Sequence, residues 1–238
     1  IYTAGIAYGG LKGWELSAEV YWRRLDNVLE TKDGKLALST TENWEDNVAT
    51  GVGRAYGAEV YVQKTSGKVT GICSYTLSKS ERRFPDKAIN NGKWYPFAND
   101  RRHNIRIAAM CKFNDRIDAA ASWVFMSGNY MTVPERETVY VDPEGMFHYL
   151  HYVSGRNNYR LPPTHHLDLS VNFTKNKKRG ERVWTVGLYN AYCAMNPDWT
   201  YVNDTWSKDE AGKSFYSANI TKLSFLTILP SVSYTYRF

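Results

Sequence analysis

In this sequence every second connection between strand-like segments is short, and those between them are long. Tight turns at residues 9–13, 65–67, 114–116 and 175–180 alternate with long connections at 25–54, 80–101, 128–163 and 193–222. A soluble sandwich or propeller has no reason to send all its long loops to one end. A membrane β-barrel does, because it has short turns on one side of the bilayer and long loops on the other.

The segments so separated alternate apolar and polar side chains with period two, which puts the two sets on opposite faces of a pleated strand. Leu167, Leu169, Val171 and Phe173 oppose Asp168, Ser170, Asn172 and Thr174. Ile105, Ile107, Ala109, Cys111 and Phe113 alternate with Asn104, Arg106, Ala108, Met110 and Lys112, and Ile117, Ala119, Ala121, Trp123 and Phe125 with Asp118, Ala120, Ser122, Val124 and Met126. Further strands are expected at 1–8, 14–24, 55–64, 68–79, 182–192 and 223–238. The total is about nine strands, each near the ~9–11 residues that a tilted strand needs to cross a bilayer. No stretch approaches the ~20 apolar residues of a membrane-spanning helix. The chain therefore reads as an all-β, transmembrane antiparallel β-barrel portion, with lipid on the apolar face.

Aromatic residues make up 15% of the chain, and many stand near strand ends, as an interfacial girdle requires. Tyr8, Trp14, Tyr56, Tyr75, Trp123, Tyr130, Trp184, Tyr192, Tyr234 and Tyr236 are of this kind. The first residues, from Ile1 to Ile6, carry neither a basic segment nor a signal-peptide core, so the chain is expected to begin inside a strand. Cys73, Cys111 and Cys193 have no metal-ligand spacing and read as small apolar wall residues.

No enzyme signature emerges. Ala211-Gly212-Lys213-Ser214 imitates the end of a phosphate-binding loop, but Ser207 stands where the leading glycine belongs. Gly51, Gly53 and Gly57 lack dinucleotide-loop spacing. His148, His151 and the pair His165-His166 form no metal motif, and neither HExxH nor GxSxG occurs. No catalytic residue, metal ligand or cofactor is assigned.

The formal charge of +6 suits a phosphate-bearing partner. Arg82-Arg83, Arg101-Arg102, Arg156 and Arg160 interleave with Tyr95, Phe97 and Tyr159, yet they lie in loops rather than on a strand face. On a barrel such loops meet lipopolysaccharide, where guanidinium groups grip phosphates bidentately. Lys175, Lys177 and Lys178 would meet phospholipid at the opposite rim. This division favours a membrane over nucleic acid, and no nucleic-acid partner is expected.

The closing segment alternates Val232, Tyr234, Tyr236 and Phe238 with Ser231, Ser233, Thr235 and Arg237, and it stops on an aromatic residue. It resembles the terminal strand signal of outer-membrane β-barrels, which implies recognition by the barrel assembly machinery. From about Trp14 onward the chain is similar to the C-terminal barrel region of TonB-dependent receptors, particularly those of nutrient-scavenging gut-type bacteria. The likeness rests on Tyr56-Gly57-Ala58-Glu59, Tyr75-Thr76-Leu77-Ser78-Lys79-Ser80, Tyr95-Pro96-Phe97-Ala98-Asn99-Asp100-Arg101-Arg102-His103 and Asn158-Tyr159-Arg160-Leu161-Pro162-Pro163.

For that family the resemblance implies a plugged, roughly 22-stranded barrel in the outer membrane of a Gram-negative bacterium. It imports a scarce ligand, whether an iron chelate, cobalamin, a glycan or a peptide, by energy-coupled active transport. Residues 1–238 would form the C-terminal part of the barrel. The plug domain, the N-terminal strands and the TonB-contacting segment would lie outside them. Implied partners are the TonB complex, lipopolysaccharide, phospholipid and a surface lipoprotein. The alternative is a passive porin or surface adhesin, and a third reading is a soluble basic β-sheet protein. Loop aromatics Trp94, Tyr95, Tyr149, Tyr152, Trp199 and Trp206 are candidates for stacking on a ligand.

A final strand frayed in hydrocarbon would leave N–H and C=O groups without water, so the placement of its end matters for assembly. Deleting Phe238 should lower the amount of full-length protein in the outer membrane, measured by fractionation and immunoblotting, while inserted copies bind ligand normally. Normal membrane levels with weakened binding would contradict the assignment.

Overall fold

The computed structural model describes residues 1–35, 43–178, 180–208, 210–212 and 214–238, so Lys213 of the phosphate-loop mimic and Arg179 of the fourth tight turn lie outside the described residues. The strands are β1 (Tyr2–Tyr8), β2 (Trp14–Thr31), β3 (Val48–Lys64), β4 (Val69–Arg83), β5 (Tyr95–Pro96), β6 (His103–Lys112), β7 (Ile117–Met126) and β8 (Tyr130–Met131). They continue with β9 (Arg136–Val141), β10 (Phe147–Tyr152), β11 (Tyr159–Arg160), β12 (Thr164–Lys177), β13 (Gly180–Tyr189), β14 (Trp199–Lys208), β15 (Ser214–Leu223) and β16 (Leu229–Arg237). Among the described residues the only helical elements are two short 3-10 turns, Trp44–Asn47 and Asn90–Gly92.

The main sheet runs β1-β2-β3-β4-β6-β7-β12-β13-β16, with β5 added on β4. Each pair along it is antiparallel, so the strands form an up-and-down meander. The nine strands expected from the periodicity are these nine. β1 and β16 are its two edges.

Register decides what the two faces carry, because residues directly opposite each other share a face. Ile6 opposes Ala18, Ala18 opposes Val60, Val60 opposes Tyr75, Tyr75 opposes Ile105 and Ile105 opposes Phe125. Farther along, Cys111 opposes Ala119, which opposes Val171, then Val186, then Val232. The apolar sets of all nine strands thus join into one continuous face. That face is open, with Ile6 at 78% and Val232 at 66% exposure. A water-soluble sheet would cover such a surface, and a sheet facing acyl chains leaves it bare.

Aromatic pairs bound this face at both ends. Tyr2, Trp22 and Tyr56 stand opposite one another at one end, and Phe173, Trp184 and Tyr234 at the other. The Trp184 and Tyr234 rings lie 4.9 Å apart. Val232, Tyr234 and Tyr236 of the terminal strand all belong to the apolar face, in line with Val186, Trp184 and Arg182. On the opposite face the side chains are polar and bond across strands. Asn172 Nδ2 donates to Asp118 Oδ2 at 2.7 Å, and Thr185 Oγ1 donates to Asn172 Oδ1 at 2.7 Å.

Several boundaries differ from the sequence expectation. The connection expected at 25–54 shrinks to 32–47, because β2 and β3 stay paired well above the aromatic row. A bulge between Leu25 and Val28 interrupts the alternation there, and Asn27 takes a left-handed φ of 56°. The period-two signal is lost where the strand continues. The strand expected at 223–238 divides, since Leu223 ends β15 while β16 begins at Leu229. The Asp198 carboxylate accepts from the Phe225 and Leu226 amides and turns the chain between them. The long connections also carry structure of their own: β9–β10, β14–β15 and the β8–β11 pair.

Val171 lies between Ala119 and Val186 on the apolar face, whereas Ser170 lies between Ala120 and Gly187 on the polar face. Val171→Arg should cost ~2–4 kcal/mol near the bilayer midplane. Ser170→Arg should cost far less, since its small neighbours leave room. Unfolding titrations in lipid measure both, and equal effects would overturn the facing assignment.

Candidate functional site at the long-loop end

Above the aromatic row the long connections fold back and pack together on the polar side of the sheet. β3 carries Gly57, Ala55, Gly53, Gly51 and Ala49 up this side, Arg82 stands opposite Gly53, and Tyr95 stands opposite Arg82. Ala49, Phe84, Ile89 and Tyr95 form a buried cluster against which Val28 and Ala88 pack. Gly51 is needed for this approach, since a Cβ there would lie 2.6 Å from the Phe84 ring and 2.5 Å from the Arg83 carbonyl oxygen.

Two carboxylates tie the connections to one another. Glu30, at the top of β2, accepts from Arg82 Nη1 at 2.6 Å and from Tyr95 Oη at 2.7 Å, and Arg156 Nε lies 3.4 Å away. Arg156 also donates to the Thr31 carbonyl and to Asp33, each at 2.9 Å. Burial, and then the hydrogen bond to Glu30, push the Tyr95 phenol above its ordinary pKa, so it remains a donor. Asp100, 2% exposed, accepts from the Ser80 amide at 2.6 Å and from Arg160 Nη2 at 2.8 Å. Arg160 further bonds the Gly128 carbonyl and lies 4.2 Å from the Tyr130 ring centre. Asn157, also buried, donates to the Pro96 carbonyl at 2.7 Å. Residues from three long connections are thereby locked into one cap.

A cleft of about 570 Å³ opens beside this cap, with Thr31, Asp33, Asn90, Thr132, Tyr152 and Arg156 among its lining residues. It offers hydroxyl and amide groups together with the Asp33 carboxylate and the Arg156 guanidinium, and so both acceptors and donors. Among the described residues no group of three His, Cys, Asp or Glu is placed to hold a metal.

The residues expected to stack on a ligand fall in four different places. Tyr95 is 2% exposed, its ring 6.3 Å from that of Phe84 and its hydroxyl on Glu30, so it packs the cap rather than offering a face. Trp94 is half-buried under the Arg54 guanidinium at 4.3 Å. Arg54 belongs to the apolar-face row with Tyr56, which puts Trp94 on the outer side of the sheet. Tyr152 is open and lines the cleft. Tyr149 lies in β10, and Trp199 and Trp206 lie in β14, with both tryptophans well exposed. Trp206 Nε1 donates to Glu137 Oε2 at 2.6 Å and so joins the β14–β15 hairpin to β9–β10.

The arginines expected to meet lipopolysaccharide also need correction. Arg82, Arg101, Arg156 and Arg160 turn into the cap, where carboxylates, carbonyls and a threonine hydroxyl satisfy them. Glu30 and Asp100 were not expected from the sequence. Glu30 stands among residues that gave no signal of their own, whereas Asp100 adjoins the Arg101-Arg102 pair and belongs to the quoted Tyr95–His103 motif.

The solved structure of the ferripyoverdine receptor of the outer membrane of Pseudomonas aeruginosa, bound to ferripyoverdine, is similar over 99% of this chain, with a TM-score of 0.54 and 14% identity. The likeness is one of fold: part of an antiparallel β-barrel wall. This chain spans 27% of that receptor's length. No protein-family model and no curated protein sequence matches it.

Removing the central acceptor of the cap should loosen it locally. Glu30→Ala leaves Arg82, Tyr95 and Arg156 without their shared partner, at a cost of about 2–3 kcal/mol of local stability. Hydrogen–deuterium exchange should rise across 84–97 and 153–158 and stay unchanged in β12 and β13. Unchanged exchange in the cap would remove Glu30 from its assigned role.

Proposed function

We propose that this chain is part of a TonB-dependent outer-membrane transporter, in which its nine strands form one wall of the barrel and its long connections form part of the ligand-receiving mouth. The observation that carries this reading is the continuous bare apolar face, edged by aromatic residues on β1–β3 at one end and on β12, β13 and β16 at the other, and backed by a polar face over whose upper end the connections close. The receptor likeness supports it at the level of fold. The free edges of β1 and β16 cannot stand in hydrocarbon, where each unsatisfied backbone group costs several kcal/mol. Further strands therefore complete the wall, and in this reading they come from the rest of the same polypeptide.

The transporter sits in the outer membrane of a Gram-negative cell and draws energy from the TonB complex through a segment outside these residues. Its ligand is a scarce nutrient such as an iron chelate, cobalamin, a glycan or a peptide. The packed cap favours a receptor over a passive pore, because it fills part of the polar side with ordered side chains instead of leaving a channel. No catalytic role is assigned.

Transport measured in cells carrying the full-length protein tests this. Uptake of a ligand from one of those classes should stop when the TonB complex is deleted or the proton-motive force is collapsed, while binding at the surface persists. Uptake that continues under both conditions would establish a passive pore.

A further inference from the structure

We infer that the cleft beside the cap takes an oligosaccharide of uronic acids, and that the Asp33 carboxylate holds the place of a sugar carboxylate until the ligand displaces it. The inference rests on the receptor reading above and names the class of its ligand.

The charges in the cleft set the first constraint. Lys32, Lys35 and Arg156 line it together with a single carboxylate, that of Asp33. A neutral ligand would leave this positive excess unanswered, whereas a ligand with carboxylates answers it. Guanidinium suits the task because its planar fork matches both oxygens of a carboxylate.

Arg156 is positioned without help from Asp33. Its backbone amide donates to Asn90 Oδ1 at 3.0 Å, its Nη1 donates to the Thr31 carbonyl at 2.9 Å, and its Nε lies 3.4 Å from Glu30. Among the described residues no hydrogen bond engages its Nη2, so the outer edge of the fork stays open.

Asp33 spans two donors, one with each oxygen: Arg156 Nη1 at 2.9 Å and the Asn90 amide at 2.7 Å. Glu30 and Asp33 both meet Arg156, yet the Glu30 side chain is 15% exposed and that of Asp33 51%. An ion pair as open as the second contributes little and is exchanged at small cost. The backbone has no need to move with it. The Asp33 amide donates to the Ala88 carbonyl, and Gly34, with a φ of 77°, turns the chain directly afterwards. A swing of the side chain alone therefore uncovers two donors already spaced for a carboxylate.

The rest of the lining selects the body of the ligand. Val153 is the one aliphatic side chain in it, so the apolar side chains of a peptide would find no pocket. Asn91, Thr132 and Ser154 bring amide and hydroxyl groups, and Tyr152, 56% exposed, offers an apolar ring face with a polar edge. A sugar ring has the same combination, with C–H groups on its faces and hydroxyls around its rim. The cleft of about 570 Å³ also lies within the roughly 300–1,000 Å³ of small-ligand sites.

The test is isothermal titration calorimetry of the full-length protein in detergent, with trigalacturonic acid, its full methyl ester and tri-alanine as probes. The acid should bind at least about tenfold more tightly than the ester, which has the same rings and no charge. Asp33→Asn should tighten the acid about fivefold, the factor for one half-exposed ion pair, and leave the ester unchanged. Tyr152→Ala should weaken both sugars. Glu144→Gln removes a carboxylate at the far end of the β9–β10 hairpin and should change neither. Equal affinity for acid and ester would overturn the carboxylate site, and unchanged or weakened acid binding by Asp33→Asn would overturn the displacement. Failure of trigalacturonic acid to bind, or tri-alanine bound in its place, would overturn the uronate assignment. Uptake independent of the TonB complex, with this binding pattern intact, would instead overturn the transporter reading and leave the site standing.

Discussion

Everything in this structure follows from the hydrogen-bond register of one antiparallel meander. Side chains alternate with period two, so a slip of one residue in any pair would turn a whole strand's apolar set to the polar side. Across eight consecutive pairings no such slip occurs between the two aromatic rows. In a bilayer this uniformity is required, because a strand with its polar set toward lipid would place Asp118 or Asp168 in hydrocarbon. The same pairings satisfy the backbone amides and carbonyls, which have no water to turn to.

Where the chain leaves that constraint, irregularity begins at once. The bulge at Asp26 and Asn27, the positive φ values at Lys87, Asn90, Asn91 and Asn157, and the short 3-10 turns all lie toward the long-loop end. There the energetics change from lipid burial to polar networks. Glu30 and Asp100 each gather partners from other connections, so the mouth of the wall is held by charge-assisted hydrogen bonds around a small apolar cluster. Such a cap is ordered yet built from few buried side chains, a composition that lets loop sequences vary while the wall below is kept.

The distribution of basic residues separates these two regimes. Arginines at the inner side neutralise buried carboxylates and position the connections. Those on the outer rim, Arg24, Arg54 and Arg83, belong to the apolar-face rows, and Arg54 lies over the Trp94 ring. Residue type is the same in both sets, and only the face differs. A linear scan groups Arg82 with Arg83, yet the pleat sends one into the cap and the other to the rim.

The sequence by itself determined the fold class, the nine wall strands and the end at which the long connections lie. Alternation and turn chemistry are local properties, and the bilayer imposes the same period on every strand, so each segment can be read without its neighbours. What only the tertiary structure decided is which residue faces which across strands and loops. Tyr95 looked like an open stacking surface and proved to be a buried donor to Glu30, 65 residues away in sequence. Trp94, its neighbour, went to the outer side with Arg54. The strand beyond the bulge and the break before Leu229 were equally hidden, because Asn27's left-handed turn and Asp198's capping of two distant amides depend on contacts that no periodic pattern encodes. Local period is written in the order of side chains, whereas long-range hydrogen bonding between loops is set by the geometry of the wall that brings them together.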